Sequence, residues 1–254
     1  MRGATDFKYA KEVSEYLGTK HTEIVLSENE FLNAIPEVIQ KIESYDTTTV
    51  RASVGNYLIS KYIAKNTDFK VIFNGDGSDE LTGGYLYFSK APSTLLFDYE
   101  VHSLLSNIHF FDVLRSDRSI SSCGLEPRTP FLDKSFVNLY LSIPLEFRKQ
   151  SGIEKKLLRD SFKGFLPDSV LYRTKEAFSD GVSAQNNSWH TIIQNKLINY
   201  RCKNKSYKHI VPFSSEQKYY RDIFDELYPN RETIIPYYWM PKWSKTSDPS
   251  ARTL

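Results

Sequence analysis

Three carboxylates and two glycines lie within six residues in the segment GDGSDE, directly after an apolar run. Gly75 and Gly77 lack Cβ atoms, so backbone N–H groups there could approach a ligand closely. Asp76, Asp79 and Glu80 are unsuited to direct phosphate contact. They suit nucleotide phosphates that are bridged through Mg²⁺, or a site where protons move. These residues predict an anion or nucleotide site that contains carboxylates.

A second interpretation of the same segment is purely structural. Asp76 and Ser78 could cap a helix that starts near Asp79, in which case the segment is only a polar turn. The pattern matches neither G-x-G-x-x-G nor G-x-x-x-x-G-K-[ST], and it lacks the late glutamate of an EF-hand loop. The residues alone leave both interpretations open.

Cationic side chains that could face an anion lie elsewhere in the chain. Arg51 falls in ESYDTTTVRAS, Arg128 in EPRTPFLD, Lys155 in GIEKKLLRD and Lys175 in YRTKEAFSDG. A surface ion pair is the ordinary expectation for any one of them, although a lysine between aromatic residues and a glycine turn, as in YRTKEAFSDG, suggests a fixed position. The histidines and cysteines show no metal-ligand spacing, and no nucleophile elbow is present.

The elements expected to position these residues begin with alternating helices and strands. Helical apolar spacing covers 7–17, 31–42 and 54–64, and strand-like runs occupy 22–26 and 69–73. The run FKVIF at 69–73 is continuously apolar, as expected for a strand that is buried on both faces. The order helix, strand, helix, helix, strand favours a parallel sheet.

From about Ser93 onward, apolar residues recur at helical spacing, with little strand signal between the segments. We therefore expect an α/β fold in one domain, with an α/β nucleotide-binding part at 1–92 and a mainly helical part at 93–254. The chain has 33 Lys+Arg, 31 Asp+Glu and two cysteines among 254 residues. These numbers argue against nucleic-acid binding and against a disulfide framework, and no apolar run could span a membrane. A soluble, cytoplasmic protein is expected.

Several motifs resemble one family, in that family's order. The block FNGDGSDELTGGYLYFSKAPS resembles the S-G-E-G-S-D-E-[LIV]-x-x-G-Y-x-Y-F-x-K-A-P block of asparagine synthetases. Similar matches are ESYDTTTVRASVGNYLISKYI, FFDVLRSDR, GLEPRTPFLD, GIEKKLLRDSF, YRTKEAFSDGV and the tail WMPKWSKTSDPSARTL. The resemblance covers essentially the whole chain and corresponds to the rear part of the family's ATP-dependent synthetase domain.

The resemblance implies an amide-forming reaction. The side-chain carboxylate of aspartate attacks the α-phosphate of ATP, giving β-aspartyl-AMP and pyrophosphate, and ammonia released from glutamine then displaces AMP. The implied catalytic residues are Asp76, Glu80, Arg51 and Lys175. The implied nucleotide-binding residues are Asn74, Gly75, Asp79 and Lys155. The implied substrate-pocket residues are Thr48, Asp112, Arg115 and Arg128. Mg²⁺ is expected to bind through phosphates, with Asp79 as a candidate contact and no site made by protein groups alone.

The chain also departs from the family's pattern. A pyrophosphate-binding loop S-G-G-L-D-S-S and an N-terminal glutaminase domain are absent from the sequence. The resemblance therefore implies a truncated parallel sheet of the adenine-nucleotide-hydrolase (PP-loop ATPase) type, with a separate glutaminase or N-terminal half as partner. Asn74 replaces the family's serine and Asp76 its glutamate, a shortening by one methylene. Two alternatives stay open: an inactive relic or binding fragment, and a related amide ligase that closes a β-lactam or peptide ring.

Overall fold

Helices make up most of the regular structure in the computed structural model, which describes residues 1–149, 152–184, 186–203 and 206–249. The α-helices are α1 (Thr5–Leu17), α2 (Glu28–Ile42), α3 (Thr47–Asn66), α4 (Ser78–Thr82), α5 (Thr94–Asn107), α6 (Asp112–Ser121), α7 (Lys134–Ser142), α8 (Leu145–Arg148), α9 (Lys156–Ser161), α10 (Asp168–Leu171), α11 (Phe178–Gly181), α12 (Trp189–Leu197) and α13 (Ser215–Leu227). The strands are β1 (Val71–Phe73) and β2 (Glu126–Arg128). Short 3-10 helices cover Leu86–Lys90, Ile108–Phe110, Pro130–Leu132 and Glu232–Ile234. The last five residues of the tail motif, 250–254, lie outside the described ranges.

The predicted helical segments 7–17 and 31–42 lie within α1 and α2, and each of these helices has a recognisable cap. Helix α1 stops at Gly18, whose φ of +65° lies in the left-handed region that glycine adopts at little cost. Helix α2 starts with a capping box in which Ser27 and Glu30 each satisfy the other's backbone N–H. Helix α3 extends the predicted 54–64 segment by about two turns at its start, because its first turn is polar and gives no apolar period.

The predicted strand at 22–26 is wrong, since this segment is irregular. A strand needs a neighbour that completes its hydrogen-bond ladder. Within the described ranges the sheet consists of β1 and β2 alone, so the backbone at 22–26 has no ladder to join.

The predicted parallel sheet is confirmed, but it is small. Val71 pairs with Glu126 and Phe73 with Arg128, so the sheet joins a strand from the front part of the chain to one from the rear part. Strand β2 was missed because Glu-Pro-Arg shows no apolar alternation. The prediction that 69–73 is buried on both faces is wrong, because Val71 and Phe73 are 45% and 74% exposed.

The mostly helical rear is confirmed, and its helices build the core together with helices of the front part. Apolar side chains of α2 and α3 pack against those of α12 and α13. A second cluster, made largely of aromatic rings, joins Tyr87 and Phe88 to Phe97 on α5 and to Trp239 in the tail. Helix α13 has no counterpart among the predicted segments. Among the described helices, none combines the length and the apolar character that a membrane crossing requires.

Candidate functional site

The loop after β1 enters α4 through a turn that only glycine fits. Gly77 has a φ of +88°, and a Cβ atom there would lie 2.3 Å from the side chain of Leu132. Among the described residues, no side chain caps α4. The interpretation in which Asp76 and Ser78 cap this helix is therefore wrong. The Asp76 carboxylate instead faces an arginine from α6.

One ion cluster on this loop joins Asp76, Arg115 and Asp112. The Nη2 atom of Arg115 donates to an oxygen of each carboxylate at 2.8 Å. Burial alone would lower the pKa of the Arg115 guanidinium, but Asp76 and Asp112 outweigh it and raise that pKa. With two carboxylates to one guanidinium, the cluster carries a formal charge of −1.

A second cluster joins Asp79 to two lysines. The Nζ atoms of Lys155 and Lys175 lie 2.8 Å and 3.1 Å from its two carboxylate oxygens. Burial favours the neutral carboxyl, but Lys175 and then Lys155 outweigh burial and hold the pKa of Asp79 below its usual range. The backbone of Gly84 passes so close that a Cβ atom would lie 2.4 Å from Asp79 Oδ1. This cluster carries a formal charge of +1.

Glu80 lies beside both clusters and is only 3% exposed. The hydroxyl of Tyr85 donates to its Oε1 atom. Burial, and then the nearby carboxylates Asp112 and Asp79, raise the pKa of Glu80 well above its usual value. Glu80 is therefore the carboxyl of this region that most readily holds a proton.

A single cavity brings the two clusters together. The predicted site residues on its wall are Thr48, Asp76, Asp79, Asp112, Arg115 and Lys175. The Thr48 hydroxyl is buried and has no hydrogen-bond partner within the described ranges. Aromatic residues that sequence reasoning missed complete the wall: Tyr85, Phe111, Phe178 and Trp239. Only their motifs (GYLYF, FFDVLR, KEAFSDG and WMPKW) could have pointed to them.

The family model for asparagine synthase matches residues 1–99 and 92–247, which together cover most of the chain. The chain belongs to the asparagine synthase family. It is 47% identical to the asparagine synthetases [glutamine-hydrolyzing] of Homo sapiens and Gallus gallus, in each case over 264 aligned residues. These alignments cover 100% of the chain and 47% of each relative. The chain therefore spans about half the length of the curated relatives it matches.

Other predicted site residues of this asparagine synthase family member lie close to the cavity. Lys155 forms an ion pair with Asp79, which lines the cavity. Asn74 shapes the loop, since its side chain donates to Ser116 Oγ at 2.7 Å and accepts from the Asp76 backbone N–H at 3.1 Å. At Gly75 a Cβ atom would meet nothing within 4 Å, so this backbone is open to close approach.

Two predicted residues point elsewhere. Arg128 on β2 pairs with Glu126 at 2.6 Å, and both side chains are more than half exposed, which is the ordinary surface ion pair. Arg51 is 3% exposed and does not line the cavity. Its guanidinium instead forms a bidentate pair with Glu216 of α13.

The described residues do not by themselves form a Mg²⁺ site. They contain no group of three or more His, Cys, Asp or Glu side chains that could hold a metal ion. Both oxygens of Asp79, the candidate Mg²⁺ contact, face lysine ammonium groups. An ion at Asp79 would have to displace a lysine.

Proposed function

We propose that this chain forms the adenylating site of asparagine biosynthesis. In the proposed reaction the side-chain carboxylate of aspartate attacks the α-phosphate of ATP, giving β-aspartyl-AMP and pyrophosphate. Ammonia from glutamine then attacks the acyl carbon, giving asparagine, AMP and a proton. The observation that carries this proposal is the pair of largely buried, oppositely charged clusters on one cavity, in a member of the asparagine synthase family.

The cationic cluster suits the phosphate end of such a substrate. Transfer at phosphorus places negative charge on the phosphate oxygens, and fixed cations in a dry site stabilise that charge strongly. We propose that Lys155 and Lys175 contact the phosphates, with Asp79 holding both ammonium groups in position beforehand. Gly75, whose backbone is open, would let the nucleotide approach the loop closely.

The anionic cluster suits the amino-acid end. We propose that Arg115 binds the aspartate carboxylate and that Asp76 and Asp112 orient the guanidinium and attract the substrate's ammonium group. The Thr48 hydroxyl, which has no partner among the described residues, supplies a further donor. As a carboxylate, Glu80 can accept a proton from the attacking amine through the Tyr85 hydroxyl, because burial raises its pKa and therefore its basicity.

The remaining parts of the proposal concern the larger assembly. We propose a parallel sheet of the PP-loop ATPase type, Mg²⁺ bound through the phosphates, and a cytoplasmic location. A glutaminase or N-terminal half, on a separate chain or on a longer one, would supply the ammonia. The relatives' names, which include glutamine hydrolysis, and their length, about twice that of this chain, support the glutaminase or N-terminal half.

The test is aspartate-dependent exchange of pyrophosphate into ATP, with Mg²⁺, by the purified chain alone and then with an added N-terminal half of a relative. Exchange in either mixture supports the adenylating site. If both mixtures are inactive, the double variant Asn74→Ser/Asp76→Glu is assayed in the same way. Exchange by that variant alone would show that the two substitutions had inactivated a once-competent site, as the relic reading expects. No exchange in any mixture would refute the proposed function.

A further inference from the structure

Arg51 lies at the centre of a buried network behind the cavity. Its Nε and Nη2 atoms donate to the two carboxylate oxygens of Glu216 at 2.7 Å and 2.6 Å. Nη2 also contacts Nδ1 of His190 at 2.7 Å, and Nη1 donates to Oδ1 of Asp248 at 2.6 Å. Four contacts thus engage most of the five N–H donors of a guanidinium.

The contact with Asp248 ties the C-terminal segment to α3. Asp248 also lies in a short turn, where its backbone N–H donates to the hydroxyl of Thr246 at 3.0 Å. The next residue, Pro249, is buried and lines the cavity together with Thr48 and Asp76. The Arg51–Asp248 pair therefore lies one residue from a part of the cavity wall.

We propose that Arg51 is a positioning residue, which anchors the C-terminal segment through Asp248 so that Pro249 closes the cavity wall. This inference rests on the proposed function, because the cavity it completes is the proposed adenylating site. It replaces the expectation that the Arg51 guanidinium contacts the reacting groups.

The alternative, in which Arg51 turns toward the substrate, is unfavourable on electrostatic grounds. Glu216 is 1% exposed, and its other partners are the neutral side chains of Tyr220 and Gln194. Turning Arg51 away would leave this carboxylate buried without a cation, which is strongly destabilising. The Asp248 side chain is 17% exposed, so of the two carboxylates that Arg51 binds, the one in the tail lies nearer to solvent.

The anchor is tested by tryptic cleavage of the folded chain after Lys245, an exposed residue three positions before Asp248. Cleavage of a segment that opens transiently follows the population of the open form. The variant Asp248→Asn should raise the cleavage rate by roughly tenfold, the scale of one lost charge-assisted hydrogen bond. The control Ser247→Ala, at an exposed neighbouring position, should cleave as the unchanged chain does. Equal rates for Asp248→Asn and the unchanged chain would overturn the anchor.

Pyrophosphate exchange tests the consequence for the site. Asp248→Asn and Arg51→Lys should raise KM for aspartate or ATP and leave kcat nearly unchanged, as expected when a binding wall loosens. Asp248→Glu, which keeps the charge, should restore KM in part. A loss of kcat of roughly a hundredfold or more in Arg51→Lys, with Asp248→Asn unaffected, would make Arg51 a catalytic residue and overturn the proposal. Absence of exchange with and without the added N-terminal half, and in the Asn74→Ser/Asp76→Glu variant, would refute the proposed function, and cleavage after Lys245 would still decide the anchor.

Discussion

Two regions on either side of the β1 loop differ in whether their side chains find partners within the described chain. In the cavity, Asp76 pairs with Arg115, and Asp79 with Lys155 and Lys175, all of them brought from distant parts of the chain. The outer sheet face, defined here as Phe69, Val71 and Phe73, leaves its apolar side chains in water, 67%, 45% and 74% exposed. The charges are compensated within the described chain, whereas the apolar face is not covered by it.

The charged groups of the cavity are therefore paired whether or not another surface covers the outer sheet face. Parallel strands are normally buried on both faces, so the outer sheet face is the part of this fold that another surface would stabilise most. Variants in the cavity should therefore change folding stability and ligand binding. Variants on the outer sheet face should change association between molecules.

The largest effect is expected for Asp79→Ala, which leaves two largely buried lysines without their carboxylate. Breaking such a pair costs about 3–5 kcal/mol in the free energy of unfolding. The pKa of Asp79 is held below its usual value of 3.8, so its stabilising contribution is present above that pH. It is lost as the pH falls through the lowered pKa. Urea denaturation at pH 7 measures the effect.

The matched control for Asp79→Ala is Asp117→Ala, an exposed carboxylate on α6. Its removal should change the free energy of unfolding by less than about 0.5 kcal/mol. Equal losses in the two variants would show that the cavity cluster is no more important to folding than a surface charge.

Gly84→Ala should cost less, about 1–3 kcal/mol, because the added methyl overlaps Asp79 Oδ1 and the Lys155 side chain and forces both to move. Gly75→Ala is the matched control, since a Cβ atom there meets nothing within 4 Å. Thermal unfolding distinguishes the two. Under the proposed function, Gly75→Ala should weaken ATP binding while leaving the unfolding temperature almost unchanged. A larger stability loss at Gly75 than at Gly84 would contradict the described packing.

Glu80→Gln should change the pH dependence of stability. Burial, Asp112 and Asp79 raise the pKa of Glu80 in the folded state above its usual 4.5. The unfolded chain then loses this proton first, so the native chain's stability falls as pH rises from 4.5 to the folded pKa. Glutamine cannot ionise, so the variant should gain stability relative to the native chain over that range. Urea midpoints at pH 4 and pH 8 measure the difference, and an equal shift at both would contradict the raised pKa.

Local signals predicted the helices and the residues of the loop well. Apolar spacing predicted the segments 7–17 and 31–42, and α1 and α2 end and begin at the local caps Gly18 and Ser27 because caps act within one turn. The loop after β1 was identified for a similar reason, since Gly77 and its neighbouring carboxylates are adjacent in the chain. The resemblance to the family supplied distant partners such as Arg115, which no spacing rule links to Asp76.

The errors arose where structure depends on distant segments. Residues 22–26 have the composition of a strand, but no ladder is available to them in the described ranges. The apolar run at 69–73 predicts a buried strand, but a strand is buried only where another segment packs on it. The anchoring of Arg51 by Glu216 and Asp248 joins positions 165 and 197 residues apart, which a single sequence cannot reveal.

Phe73→Ser should have the smallest effect on folding and should act on association instead. Its side chain is 74% exposed, so replacing it should change the free energy of unfolding by less than about 0.5 kcal/mol. Removing its ring from the outer sheet face should reduce self-association, measured by sedimentation velocity over a range of concentrations. The matched control is Phe213→Ser, a phenylalanine 57% exposed and away from the sheet. If both variants reduce association equally, general hydrophobicity is responsible. If only Phe73→Ser reduces association, the outer sheet face is the surface through which the molecules associate. The cavity, whose charges are paired within the chain, would then differ from it as described.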